Sequence, residues 1–139
     1  MKLKDLVSKT KVTSYSGDLD TEVSGIAYDS RRVKKGDVFV AVPGTIEDGS
    51  KYIPMAIRSG AIAIICEEHS DGHAACEIVV PSARAALADI SCAYYRDPSQ
   101  GLKVVGITGT NGKTTTAYII ESILDRKSTR LNSSHTDIS

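Results

Sequence analysis

Apolar positions in this chain fall into short β-branched runs, each followed by turn residues or by apolar positions at helical spacing. That alternation predicts an α/β fold. The runs at 22–28, 37–42, 61–66, 77–80 and 103–108 read as strands, and helical spacing predicts helices over 52–59, 82–95 and 113–124. The helix over 82–95 has a clear start, because Pro81 and Ser82 precede Ala85, Ala88, Cys92 and Tyr95 on one helical face.

Behind Arg96, the stretch Asp97-Pro98-Ser99-Gln100-Gly101 gathers turn and breaker residues and predicts a domain boundary. The expected organisation is therefore a small α/β domain over 1–97 and the start of a second domain over 98–125. Residues 126–139 are polar and lack helical periodicity. They resemble a tail that recurs on unrelated translated assemblies, so a non-native or disordered tail is expected there.

Composition narrows the function. With 41% hydrophobic and 24% charged residues, the 139-residue chain has the balance of a globular protein, long enough for one small domain and the beginning of another. Seventeen basic and seventeen acidic side chains cancel, so no overall field favours nucleic acid or an anionic membrane, and recognition of phosphate has to be local. No apolar run approaches the ~20 residues that span a bilayer. Lys2, Lys4, Asp5 and Lys9 interrupt the start of the chain, which lacks a signal peptide's apolar core. Cys66, Cys76 and Cys92 show no paired metal or redox spacing and read as reduced packing thiols, consistent with a cytoplasmic location. His69 and His73 lie in a glycine-containing polar run that reads as an exposed turn and not as a metal site.

The most informative chemistry is the run from Lys103 to Thr116: an apolar segment, the turn Gly109-Thr110-Asn111-Gly112, then Lys113-Thr114-Thr115 opening a helical pattern. Glycines let backbone N–H groups approach phosphate oxygens, and the following helix adds unpaired N–H groups and its dipole. This is the context of an ATP-binding P-loop, with Lys113 as the catalytic residue reaching the β- and γ-phosphates and Thr114 as the Mg²⁺ ligand. Ile107 stands where the usual P-loop has its first glycine, flanked by Gly106 and Gly109.

That departure, Gly-x-x-Gly-Thr-x-Gly-Lys-Thr from Gly106 to Thr114, resembles the ATP loop of the Mur ligases and of their relative folylpolyglutamate synthase. Upstream, Tyr28-Asp29-Ser30-Arg31, the run from Gly36 to Gly44, Asp48-Gly49, Tyr52-Ile53 and Gly60-Ala61 resemble the amino-terminal UDP-substrate domain of the Mur ligases, which folylpolyglutamate synthase lacks. The resemblance implies ATP- and Mg²⁺-dependent amide-bond formation through an acyl phosphate. The partners implied are a UDP-N-acetylmuramoyl-L-alanyl-D-glutamate substrate and a diamino acid, either diaminopimelate or lysine. The alternatives are the related enzyme that adds D-alanyl-D-alanine and a non-enzymatic nucleotide-binding module.

By position in the family pattern, Tyr28, Ser30, Thr45, Ile46 and Glu47 are expected to bind the UDP-linked substrate, and Gly109 to Thr115 the ATP. Asp29 is expected to be structural, and Phe39 and Tyr52 to be core residues. The rest of the central domain and the domain that selects the amino acid are expected to be missing, so the chain alone is expected to be inactive.

Overall fold

The computed structural model describes Met1 to Asp125 apart from Ile46 and Gly72. The elements are α1 (Leu3–Leu6), β1 (Ser14–Ser16), β2 (Gly25–Ala27), β3 (Asp37–Val40), α2 (Ile53–Arg58), β4 (Ala63–Cys66), β5 (Glu77–Val79), α3 (Ala83–Tyr94) and α4 (Lys113–Asp125). One-turn 3-10 helices occur at Ser30–Arg32, Gly49–Tyr52 and Pro98–Gly101. The chain divides into two compact units, Met1–Gly101 and Leu102–Ser139. Among the described residues no helix is long and apolar enough to cross a membrane.

The first unit is a five-stranded sheet in the order β1-β5-β4-β3-β2. Strands β2 to β5 run parallel, with Phe39 opposite Ile64 and Ile65 opposite Ile78, and β1 closes the edge antiparallel to β5. Every residue of β3, β4 and β5 is buried. Alternation along these strands divides the core in two, since successive side chains point to opposite faces. Val38, Val40, Ala63, Ile65 and Ile78 pack with Leu3 and Leu6 of α1 and with Ala83, Ala86 and Ile90 of α3. Phe39, Ile64, Cys66 and Val79 face the other way, onto Ile53 and Ala56 of α2. Helices on both faces satisfy the usual requirement of a parallel sheet.

Helix α3 starts as its sequence indicates. Ser82 Oγ accepts from the Ala85 N–H at 3.2 Å, and the Glu67 carboxylate accepts from the Ala83 N–H at 2.9 Å, so two first-turn donors are satisfied. Its far end is anchored by the Tyr94 hydroxyl, which donates to the Ser24 carbonyl at 2.6 Å.

Two expectations need correction, and one strand was not expected. The run at 22–28 is a strand only over Gly25–Ala27, because Glu22 instead bridges to Lys2. Strand β1 has no counterpart in the sequence reading, since Ser-Tyr-Ser lacks an apolar run and pairs only because β5 offers it an edge. Residues 103–108 do not form a strand. Val104 and Val105 are 72% and 59% exposed, and among the described residues no neighbouring strand takes up their backbone groups. The tail over 126–139 lies outside the described residues.

Ile65 is fully buried on the central strand and touches the face that α1 and α3 cover. Ile65→Ala should destabilise the first unit by about 2–5 kcal/mol, the usual cost of emptying such a position. Urea denaturation monitored by circular dichroism measures it, with a lower midpoint and an unchanged slope expected.

Candidate functional site

In the first unit a cleft opens where β2 and β3 end, as expected of open parallel sheets. Beyond Ala27 the chain passes through Tyr28 and Asp29 into the 3-10 turn at Ser30–Arg32, and beyond Val40 it enters the loop that leads to α2. The cleft has a volume of about 510 Å³, and its wall includes Tyr28, Ser30, Arg31, Glu47, Tyr52 and Met55. Tyr28, Ser30 and Glu47, three of the residues expected to bind substrate, thus come together. Thr45 is exposed on the same loop but off the cleft wall, and Ile46 lies outside the described residues.

The turn is built by Asp29. Its Oδ1 accepts from the Arg31 backbone N–H at 3.0 Å and from Nε at 2.9 Å, while Oδ2 accepts from Nη2 at 2.8 Å. The Arg31 side-chain bonds, followed by its backbone N–H, hold the Asp29 carboxyl at about 2, below the ordinary aspartate value. This matches the structural part expected of Asp29. Between these two residues Ser30 is only 6% exposed.

The loop from β3 is folded by a bond from the Gly44 N–H to the Glu47 carbonyl at 2.9 Å. A Cβ at Gly44 would sit 2.6 Å from that carbonyl oxygen, so only glycine closes this turn. At Gly49 a Cβ would meet the backbone of Ala41 and Val42, which pins the far end of the loop against the strand it left.

Tyr52 was expected in the core, and half of it is there. Its ring packs against the cluster on the α2 face, but its hydroxyl reaches the cleft and donates to Glu47 Oε2. That bond, and then desolvation, raise the phenol above its usual range. Apolar periodicity locates the ring and says nothing of the hydroxyl, whose partner lies in an irregular loop.

His69 is committed elsewhere. Its Nδ1 lies 2.8 Å from Glu77 Oε1 and its Nε2 lies 3.3 Å from Ser14 Oγ, so it ties the turn after β4 to β5 and β1. Burial alone would raise the Glu77 carboxyl, but bonds from Ser70 and His69 outweigh it and leave the carboxyl below its ordinary value. Cys66 is buried on β4, and desolvation pushes its thiol up to about 11, far from a reactive thiolate.

In the second unit Gly109 and Gly112 have φ of 147° and 78°, values that side chains rarely adopt, and Lys113 begins α4. Space around the loop is open, since a Cβ at Gly106 or Gly112 would have no atom within 4 Å. Thr110, Asn111, Thr114 and Thr115 are exposed and Lys113 is half-buried. The donor set and the open loop fit a nucleotide phosphate chain with its divalent cation.

The Asp29 pairing has a measurable consequence. A carboxyl held at about 2 stabilises the folded state above the unfolded value, near 4, and that contribution is lost as pH falls from about 4 to 2. Carboxyl-carbon NMR titration should give a midpoint near 2 for Asp29, and Arg31→Met should return it toward about 3.9.

Comparison with known proteins agrees with this geometry. Residues 22–95 match the model of the Mur ligase family, catalytic domain, and residues 107–138 match the Mur ligase middle domain. The UDP-N-acetylmuramoyl-L-alanyl-D-glutamate--2,6-diaminopimelate ligase of Syntrophomonas wolfei is 45% identical over 90% of this chain and 26% of its own length. The ligase of the same name from Cytophaga hutchinsonii is 44% identical over 86% and 25%. Among solved structures, MurF from Acinetobacter baumannii superposes with a TM-score of 0.71 at 30% identity, covering 94% of this chain and 30% of that one. MurF from Thermotoga maritima in complex with ADP gives 0.56 at 37%, covering 77% and 24%. The chain thus spans about a quarter of the length of the curated relatives it matches. With one family matched over both the sheet that carries the cleft and the loop that opens α4, the chain belongs to the Mur ligases.

Proposed function

We propose that the protein containing this chain is a cytoplasmic ATP-dependent ligase that adds 2,6-diaminopimelate to UDP-N-acetylmuramoyl-L-alanyl-D-glutamate during peptidoglycan synthesis. The observation that carries this reading is the cleft that brings Tyr28, Ser30 and Glu47 together, upstream of a P-loop in the same chain. The names of relatives at 45% and 44% identity support the choice of amino acid.

In this reading the UDP moiety lies against Tyr28, the Ser30 hydroxyl and the backbone of Glu47, and Thr45 and Ile46 are proposed as further contacts. Gly109, Thr110, Asn111, Gly112 and Thr115 would surround the ATP phosphates, Lys113 would reach the β- and γ-phosphates, and the Thr114 hydroxyl would help to hold Mg²⁺. ATP supplies the phosphoryl group that activates the substrate carboxylate. The amine then displaces phosphate to form the amide. The first unit, proposed as the substrate domain over about 1–97, would hold a part of the substrate remote from that chemistry.

A second reading is favoured by the solved structures, several of which are MurF ligases at 30–37% identity. Mass analysis of the product separates the two. Supplied with ATP, the UDP-muramoyl dipeptide and diaminopimelate, the intact protein should yield the UDP-muramoyl tripeptide. Transfer of D-alanyl-D-alanine to a tripeptide would instead establish the second reading.

Ser30→Ala in the intact protein should raise KM for the UDP substrate several-fold and change kcat little. A hydroxyl bound to a remote part of the substrate contributes alike to the ground and transition states, and one hydrogen bond is worth about 1 kcal/mol. Steady-state kinetics with the UDP substrate varied provides the check, and an unchanged KM would remove Ser30 from the site.

A further inference from the structure

The cleft carries an electrostatic contradiction. Its wall holds three charged side chains, those of Asp29, Arg31 and Glu47. Asp29 and Arg31 face each other in a two-pronged pair and cancel. Glu47 is left as the uncompensated charge, and it is negative, in a cleft that the proposed function gives to a diphosphate. A free carboxylate on that wall would repel the ligand.

The geometry supplies a restraint. Tyr52 is anchored by its ring in the apolar cluster of Ile53, Ala56 and Phe39 beneath α2, and its hydroxyl donates to Glu47 Oε2. Glu47 also closes the loop through its backbone, its carbonyl accepting from the Gly44 N–H. Glu47 is therefore gripped twice, its carbonyl by the loop's own turn and its carboxylate by a phenol rooted in the core.

We infer that Tyr52 is a positioning residue of the substrate cleft: its hydroxyl holds the Glu47 carboxylate away from the ligand's diphosphate while the Glu47 backbone shapes the loop. The inference rests on the reading of this cleft as a UDP site. Removing the hydroxyl frees the carboxylate to swing toward the phosphates, so the loss falls on the charged part of the ligand and not on its nucleoside. It also makes the penalty electrostatic, and therefore sensitive to salt and to removal of the Glu47 charge.

The test is ¹⁵N NMR titration of the purified 139-residue chain with UDP and, separately, with uridine, preserved amide shifts of β3 to β5 serving as the folding control. Tyr52→Phe should weaken UDP about fivefold and uridine less than about twofold, the scale of one like-charge contact in water. The UDP deficit should shrink in 1 M salt, where screening acts within about 3 Å. Adding Glu47→Gln to Tyr52→Phe should restore UDP affinity. Unchanged UDP affinity in Tyr52→Phe, an equal loss for uridine, or failure of Glu47→Gln to restore would overturn the inference. A wild-type chain that binds neither UDP nor uridine would instead overturn the reading of the cleft as a UDP site.

Discussion

Burial of β3, β4 and β5 on both faces is the constraint from which the rest of the first unit follows. Three adjacent parallel strands with no water-facing side require helices above and below, and each connection must return across the sheet before the next strand can begin. That requirement places α2 on one face, α1 and α3 on the other, and collects the strand exits at one edge. The cleft is a by-product of this layout. Its walls are the two connections that leave β2 and β3, held where the sheet releases them.

The strands most legible in the sequence are those under this constraint. Val38-Phe39-Val40, Ala63-Ile64-Ile65-Cys66 and Glu77-Ile78-Val79 read as strands because two-sided burial selects nearly continuous apolar runs. Where burial is weaker the sequence says less: Ser14-Tyr15-Ser16 pairs as an edge strand on a pattern indistinguishable from a loop. The opposite failure occurs at 103–108, where strand-forming residues are present and, among the described residues, no partner strand is. Composition encodes the preference of a segment, while pairing belongs to the neighbours it meets.

The site divides along the same line. Tyr28 and Ser30 follow a strand in a recognisable order and meet in the cleft. The glycine loop before α4 keeps its positive-φ glycines although, among the described residues, no paired strand precedes it, since those backbone angles are local properties of Gly109 and Gly112. Thr45 falls off the wall, and the second half of Tyr52 was invisible, because both depend on how an irregular loop turns in space. Local stereochemistry can be read from residue types, whereas a contact between a loop carboxylate and a phenol five positions on cannot.

The two glycines that bound this loop set the terms on which it can change over evolutionary time. Gly44 is locked by the carbonyl of Glu47 and Gly49 by the backbone of β3's exit, so neither position has room for another residue. Between them Thr45 is exposed and off the cleft wall. A lineage can rewrite the tip of the loop while its two ends stay fixed in place. Sequence divergence can thus accumulate at the rim of the cleft without disturbing the sheet that supports it.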